Sequence, residues 1–160
     1  MGGYRLKKAL WKSNVSWYDL HRRTSIGVLI YDLQVLGSGF AGQGHARALR
    51  SAGVDIAGMV SRTPDVVSRM AEALDIPYAG TDFNAALDDL KPDIVSVGTP
   101  GGAHFEPVMA SLKAGCHVFC DKPLAATAVQ SKVMFEAAVA ANVKTAYAAS
   151  YRYQPYALLA

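Results

Sequence analysis

Three glycines between residues 37 and 42 have the spacing of a phosphate-binding turn. Gly37, Gly39 and Gly42 fit the pattern G-x-G-x-x-G, with an apolar segment before them and helix-forming residues after them. The first glycine permits a sharp turn, the second leaves no Cβ to block a pyrophosphate, and the third lets a helix approach a sheet. The free N–H groups at the start of that helix favour phosphate oxygens. The pattern predicts a dinucleotide site formed by Gly37, Ser38, Gly39, Phe40, Ala41 and Gly42.

A hydroxyl and a guanidinium follow the next predicted strand, at Ser61 and Arg62. At this distance, about twenty residues after the last glycine, an acidic residue would bind the ribose 2′-hydroxyl of NAD. Neither residue is acidic, and arginine binds phosphate with paired donors. We therefore expect NADP as the favoured cofactor, with NAD as the alternative. A solvent-exposed loop arginine without a ligand is the competing interpretation.

Two later strand ends carry further candidates, Thr99-Pro100 and Asp121-Lys122-Pro123. A lysine ammonium beside a nicotinamide could bind a substrate hydroxyl or stabilise the alkoxide that forms as hydride leaves. Asp121 could orient that lysine or hold the nicotinamide ribose. A Lys-Pro pair after a strand is usually only a turn, so this interpretation depends on the glycine turn.

Cys116 and Cys120 flank His117 in the run C-H-V-F-C. In a strand, alternation puts both cysteines on one face and His117 on the other. Only two ligands would then converge, fewer than a zinc site needs. We expect no metal here, and instead a reduced, packed pair of cysteines in a cytosolic protein.

Strands alternate with helices from residue 28 onward. The predicted strands cover 28–36, 56–60, part of 77–80, 93–98, 117–120 and 143–149. The predicted helices cover 41–52, 64–74, 82–90 with Thr81 as its cap, a helix ending at 114, and 127–141. Because parallel neighbours need long connections, this order predicts an α/β fold. It is a doubly wound, mostly parallel Rossmann sheet with helices on both faces and ligands at the carboxyl ends of the strands.

Basic residues are concentrated near the N-terminus. Residues 1–23 hold six basic residues and one acidic residue, whereas the remaining chain holds ten basic and twelve acidic residues. The positive net charge of +3 therefore comes from residues 1–23. The rest gives no support to a nucleic-acid partner. We expect residues 1–27 to be an extension, either poorly ordered or a basic amphipathic helix on a membrane or partner surface. No apolar run approaches the roughly 20 residues of a membrane span, which predicts a soluble, cytoplasmic protein without a membrane partner.

Taken together, G-S-G-F-A-G, S-R-T, T-P-G-G-A-H, A-G-C-H-V-F-C-D-K-P-L-A and Y-R-Y-Q-P resemble the N-terminal half of the Gfo/Idh/MocA oxidoreductases. The resemblance covers residues 33–160. It implies that Lys122 corresponds to the family's E-K-P lysine at the reacting hydroxyl, with Asp121 replacing the usual glutamate. It also places His104 near the cofactor and adds Arg152 to the site. His45 is interpreted as a helix-surface residue outside it.

The family resemblance implies NAD- or NADP-dependent hydride transfer on sugars, cyclitols or related hydroxyl compounds. It divides the chain into the extension 1–27, a dinucleotide-binding domain 28–150 and the start of a link, 151–160, to a substrate domain that we expect to be missing. The chain alone would then bind cofactor with little turnover. The alternative is a non-catalytic dinucleotide-binding module, such as a redox sensor or partner subunit. The substrate and the oligomeric state cannot be read from these residues.

Overall fold

Short segments rich in apolar residues form a six-stranded sheet. The computed structural model describes residues 32–158, and its strands are β1 (Asp32–Leu36), β2 (Asp55–Val60), β3 (Tyr78–Gly80), β4 (Ile94–Val97), β5 (His117–Cys120) and β6 (Thr145–Tyr147). Every neighbouring pair is parallel, in the order β3-β2-β1-β4-β5-β6. The strand order reverses between β1 and β4, so a ligand crevice is expected above their carboxyl ends.

Helices connect successive strands. They are α1 (Phe40–Ser51), α2 (Pro64–Ala73), α3 (Phe83–Leu90), α4 (Phe105–Lys113), α5 (Ala128–Ala141) and α6 (Pro155–Leu158), with 3-10 turns at Gly101–Ala103 and Ser150–Tyr153. Local side chains define two of the starts. Asp82 accepts a hydrogen bond from the Ala85 N–H at 3.0 Å, and Thr127 accepts one from the Gln130 N–H at 3.2 Å. These caps satisfy amides that have no helical acceptor.

The core consists of two apolar layers, one on each face of the sheet. Val35 and Met59 belong to the layer that includes residues of α1 and α2. Their chain neighbours Leu36 and Val60 point the opposite way, into the layer that includes residues of α3, α4 and α5. Each fully buried side chain of this kind contributes on the order of 1.5–3 kcal/mol. Both faces are therefore covered, as a parallel sheet requires.

The structure confirms the predicted fold class and the order of strands and helices. Two details differ. The last strand is shorter than predicted, and Asp82, not Thr81, caps α3 because its carboxylate reaches the Ala85 amide. The predicted extension 1–27 and the first residues of the predicted domain, 28–31, lie outside the described residues. Within residues 32–158, no helix is both long and apolar enough to cross a membrane.

Candidate functional site

The glycine turn packs tightly against neighbouring backbone. Gly37 has a φ of +114°, which L side chains rarely adopt, and a Cβ on Gly42 would lie 1.8 Å from the Gly37 carbonyl oxygen. A Cβ on Gly98, just after β4, would lie 2.8 Å from the Gly42 nitrogen. These three glycines are therefore needed to bring the turn, α1 and the end of β4 together.

Gly39 differs from the other glycines of the turn. It is the N-cap of α1, and its φ of −78° and ψ of −171° suit any residue. Among the described residues, no atom beyond its two chain neighbours lies within 4 Å of where its Cβ would stand. The first helical hydrogen bond of α1 runs from the Gln43 N–H to the Gly39 carbonyl. The preceding N–H groups have no helical acceptor and form the positive end of the helix dipole. The space beside Gly39 can therefore receive an anion.

Ser38 and Ser61 join the glycine turn to the end of β2. The Ser38 hydroxyl donates to the Ser61 hydroxyl at 2.9 Å, and the Ser61 N–H donates to the Gly80 carbonyl at 3.1 Å. Arg62, the next residue, is exposed. The structure thus brings the predicted second-strand residues beside the turn.

The other predicted residues occupy the same edge of the sheet. Phe40 is 96% exposed at the first turn of α1, and Ala41 is half-buried. Exposed Pro100 follows β4, and exposed Arg152 lies on the 3-10 turn after β6. Because the strands are parallel, all of these positions follow carboxyl ends.

The loop after β5 carries Asp121 and Lys122. The Asp121 N–H donates to the Val97 carbonyl at 2.9 Å, which extends the β4–β5 pairing into the loop. Asp121 is half-buried and the side chain of Lys122 is exposed. Among the described residues, the two form no ion pair with each other. The carboxylate acts instead on His45: burial lowers the pKa of His45, and Asp121 opposes part of that shift.

His104 is fully buried and connects two loops. One ring nitrogen, Nε2, lies 2.6 Å from the Thr99 carbonyl, and the other, Nδ1, lies 2.8 Å from the Pro123 carbonyl. In this geometry neither nitrogen is free for a cofactor. The resemblance places His104 near the cofactor, and the structure places its ring between the Thr99 and Pro123 carbonyls, in the loops after β4 and β5.

His45 was expected to lie on the helix surface, and this is wrong. Its Nδ1 lies 2.9 Å from the hydroxyl of Ser96, which is fully buried on β4, and its ring meets Phe119 edge to face with centroids 4.7 Å apart. Burial lowers its pKa, Asp121 raises it and His104 lowers it. The sequence did contain a signal for this burial. His45 lies three residues after Gly42, and this spacing puts the two residues on the same, sheet-facing side of α1.

Cys120 ends β5 and Cys116 directly precedes that strand, and both side chains belong to the same apolar layer, as alternation predicts. Both thiols are buried, whereas His117 is half-buried. Burial first, and then Asp121, raises the pKa of Cys120 to about 12. Across residues 32–158, no group of three or more histidine, cysteine, aspartate or glutamate side chains is arranged to hold a metal ion.

This sheet order, with the glycine turn between β1 and α1, defines a dinucleotide-binding Rossmann domain. Residues 32–149 match the model of the Gfo/Idh/MocA oxidoreductases, described as an oxidoreductase family with an NAD-binding Rossmann fold. The chain belongs to this family, which confirms the resemblance in its motifs.

Three relatives illustrate the match. Levoglucosan dehydrogenase of Pseudarthrobacter phenanthrenivorans is 27% identical over 135 residues, which are 79% of this chain and 35% of that protein. D-xylose 1-dehydrogenase (NADP(+)) 2 of Haloferax volcanii is 33% identical over 108 residues, 68% of this chain and 33% of that protein. An NAD-binding oxidoreductase of Klebsiella pneumoniae has a crystal structure that aligns with a TM-score of 0.75 at 33% identity, covering 81% of this chain and 37% of that one. The chain therefore spans about a third of the length of these relatives.

Proposed function

We propose that this domain binds NADP in preference to NAD and forms the cofactor half of an oxidoreductase. Its substrate would be a CH–OH carbon of a sugar, cyclitol or related compound. Family membership supports the redox class, and the names of the two curated relatives support a sugar-like substrate. The bound dinucleotide would supply the hydride acceptor or donor, and the protein would supply binding, orientation and electrostatics.

The observation that carries the proposal is the open position at Gly39. Gly37 and Gly42 are explained by close backbone packing, whereas, within residues 32–158, no atom beyond its chain neighbours lies within 4 Å of the Cβ position of Gly39. A ligand explains the absence of a side chain there. The ligand is expected to be anionic because the first N–H groups of α1, which have no helical acceptor, and the positive end of the helix dipole lie at this point. A dinucleotide pyrophosphate meets both conditions.

The preference for NADP rests on Ser61 and Arg62. Ser38 fixes the Ser61 hydroxyl beside the turn, and Arg62 extends from the same strand end with its guanidinium exposed. A 2′-phosphate on the adenosine ribose would accept hydrogen bonds from both groups. A 2′-hydroxyl would gain much less from the guanidinium, because charge-assisted hydrogen bonds are roughly twice as strong as neutral ones.

Lys122 is the proposed substrate-facing residue. Lys122 is exposed and lies just after the carboxyl end of β5. The neighbouring strand, β4, is followed by Gly98, which packs against the glycine turn. There the lysine would donate a hydrogen bond to the reacting oxygen and stabilise negative charge on it during hydride transfer. Asp121 adds a carboxylate to the same loop, where it would hold the nicotinamide ribose or orient the lysine.

The remainder of the site would come from a substrate domain beyond this one. This fits the share of the relatives' length that the chain spans. Residues 151–158 would begin the connection to it. The buried cysteines Cys116 and Cys120 suit a reducing compartment, and we propose that the protein is cytoplasmic.

The cofactor assignment is tested with the 160-residue chain and the variants Gly39→Val and Gly44→Ala. Both positions have free space around the absent Cβ, so both variants should fold. Calorimetric titration should show NADPH binding weakened at least tenfold by Gly39→Val, because the branched side chain occupies the pyrophosphate space. Gly44→Ala, further along α1, should bind like the parent. Equal NADPH affinity in all three proteins would overturn the proposed site.

The catalytic assignment is tested in a chain that includes a substrate domain. Lys122→Ala should remove turnover while leaving the dissociation constant of NADPH nearly unchanged, since the lysine acts on the reacting oxygen. Lys144→Ala, an exposed lysine before β6, is the matched control. If the enzyme retains its activity without Lys122, the lysine has no such role. If cofactor binding occurs without any turnover in the parent, the domain is a binding module.

A further inference from the structure

The segment that follows β4 packs against both parts of the proposed site. At its start, a Cβ on Gly98 would lie 2.8 Å from the nitrogen of Gly42, the last glycine of the turn. Further along, a Cβ on Gly101 would lie 2.5 Å and 2.6 Å from Cγ and Cδ of Pro123. Pro123 directly follows Lys122 in the loop after β5. One short segment therefore lies between the glycine turn and the loop of the proposed substrate-facing lysine.

Close packing, and not backbone conformation, explains the glycine at position 101. Its φ lies outside the left-handed region that favours glycine. The three nearest atoms to its Cβ position all belong to Pro123, namely Cγ, Cδ and the carbonyl oxygen at 3.5 Å. Gly102 belongs to the same 3-10 turn, but among the described residues no atom beyond its chain neighbours lies within 4 Å of its Cβ position. A side chain at position 101 would therefore collide with one group, the Pro123 ring.

A collision with a proline ring cannot be relieved by a change of rotamer. The ring closes on the main-chain nitrogen, so its atoms move only with the backbone. To bring a Cβ from 2.5 Å to an ordinary carbon–carbon separation of roughly 3.5 Å, Pro123 would have to shift by about 1 Å. Pro123 is exposed, which leaves room for this shift on the solvent side. Because a planar peptide bond joins Lys122 to the proline nitrogen, the main chain of the lysine would move with the ring.

The lysine loop is attached to the sheet on both sides of Lys122. Before it, the Asp121 N–H donates to the last carbonyl of β4 at 2.9 Å. After it, the Pro123 carbonyl oxygen lies 2.8 Å from Nδ1 of the buried His104 ring. The contact between the Pro123 ring and Gly101 sets how closely this second attachment approaches the segment after β4.

We propose that Gly101 is a positioning residue for Lys122: by leaving room for the Pro123 ring, it sets the distance of the lysine from the glycine turn. The proposal rests on the proposed role of Lys122 at the substrate. Gly101 acts through Pro123 and needs no contact of its own with cofactor or substrate. A displacement of about 1 Å at a reacting group can lower turnover on the order of 100-fold.

The first test compares crystal structures of the 160-residue chain and its variants Gly101→Ala and Gly102→Ala, superposed on the six strands. In Gly101→Ala the Cα of Lys122 should lie about 1 Å from its place in the parent, because the added methyl group displaces the proline ring. Gly102→Ala, which adds the same methyl group to the same turn, should leave Lys122 in place. An unmoved Lys122 in Gly101→Ala would overturn the proposal.

The second test removes the ring atoms that the methyl group would meet. In the Pro123→Ala background, Gly101→Ala should displace Lys122 no further and should not lower the free energy of unfolding again. In the parent background, the same substitution should lower it, and this comparison remains informative if Gly101→Ala alone folds poorly. Equal losses of stability in the two backgrounds would place the cause of the glycine elsewhere and overturn the proposal.

The third test separates the position of Lys122 from cofactor binding. Gly101→Ala in the 160-residue chain should change the dissociation constant of NADPH by less than about threefold, since the glycine turn is not displaced. In a chain that includes a substrate domain, Gly101→Ala should lower kcat about 100-fold with little change in KM for NADPH, whereas Gly44→Ala should keep the kcat of the parent. An unchanged kcat in Gly101→Ala would overturn the positioning role if Lys122→Ala abolishes turnover. If Lys122→Ala also retains activity, the proposed role of the lysine is what fails.

Discussion

The imidazole of His45 lies 2.9 Å from the hydroxyl of Ser96, a residue 51 positions away in the chain and fully buried in β4. The contact joins α1, which begins at the glycine turn, to the strand that ends beside Thr99. The same ring packs against Phe119 on β5. His45 thus connects α1 with both strands whose ends border the proposed substrate position.

Stability should fall in acid through His45. Burial lowers its pKa in the fold below the ordinary value of 6.5, and His104 acts in the same direction against Asp121. Below pH about 6.5 the unfolded chain therefore binds a proton more readily than the folded chain, and the free energy of unfolding declines. Urea unfolding between pH 8 and pH 5 should show this decline, and His45→Gln should flatten it. An unchanged slope in His45→Gln would assign the effect to other groups.

Ser96→Ala should lower the free energy of unfolding by about 1–3 kcal/mol with native His45 and by less in the His45→Gln background.

Two glycines in α1 should respond oppositely to alanine. Gly42→Ala forces a Cβ to within 1.8 Å of the Gly37 carbonyl oxygen, so the turn and helix must separate. We expect a loss of about 3 kcal/mol or more, of the size that a severe backbone clash produces. In the described part of the chain, a Cβ on Gly44 meets no atom within 4 Å outside the backbone of α1. Gly44→Ala should therefore raise the free energy of unfolding by roughly 0.5–1 kcal/mol through helix propensity. Denaturant unfolding of the two variants measures both effects. A mild effect of Gly42→Ala would contradict the close contact.

Arg62 should distinguish the two dinucleotides. Arg62→Ala removes a charge-assisted hydrogen bond to a 2′-phosphate and should weaken NADPH binding roughly 10- to 100-fold, equivalent to about 1.5–3 kcal/mol. The dissociation constant of NADH should change by less than about threefold in the same variant. Fluorescence titration with each cofactor gives the two constants. Arg69→Ala, on the exposed surface of α2, serves as the control for general loss of positive charge. Equal weakening of both cofactors by Arg62→Ala would remove the basis for an NADP preference.

Cys120 should be chemically inert in the native protein. Burial and Asp121 raise the pKa of its thiol from 9.0 to about 12, so at neutral pH the thiolate fraction is lower by about a thousandfold. In the variant Cys116→Ser, reaction with a disulfide reagent at pH 8 should be slow in buffer and rapid in 6 M guanidinium, where the chain unfolds. The same shift predicts that stability falls as the pH rises above 9, because the unfolded thiol loses its proton first. Rapid labelling of the folded variant would show that the thiol is accessible.

Much of the fold was predictable because its determinants are local. Short apolar segments identified the strands, and the helix starts predicted at residues 64 and 127 agree within one residue with α2 and α5, since capping and backbone restriction act within a few residues. The boundaries that differed, at Thr81 and in β6, depend on which of several adjacent groups makes the hydrogen bond. Such boundaries depend on hydrogen-bond geometry and shift by one or two residues, which the sequence pattern does not resolve.

By itself, the sequence determined the order of strands and helices, the place of the glycine turn and the strand ends that carry the predicted site residues. The tertiary structure decided which side chains meet. His45 was predicted to be on the surface because its partner Ser96 is 51 residues away, and His104 gained its loop contacts from a carbonyl 19 residues away. The motif predicted open space at Gly39 and close packing at Gly42, and the structure supplied the atom that a Cβ on Gly42 would meet, the Gly37 carbonyl oxygen at 1.8 Å. Periodicity reports the face on which a residue lies, whereas the atom that it contacts across the sheet is set by packing of the whole domain.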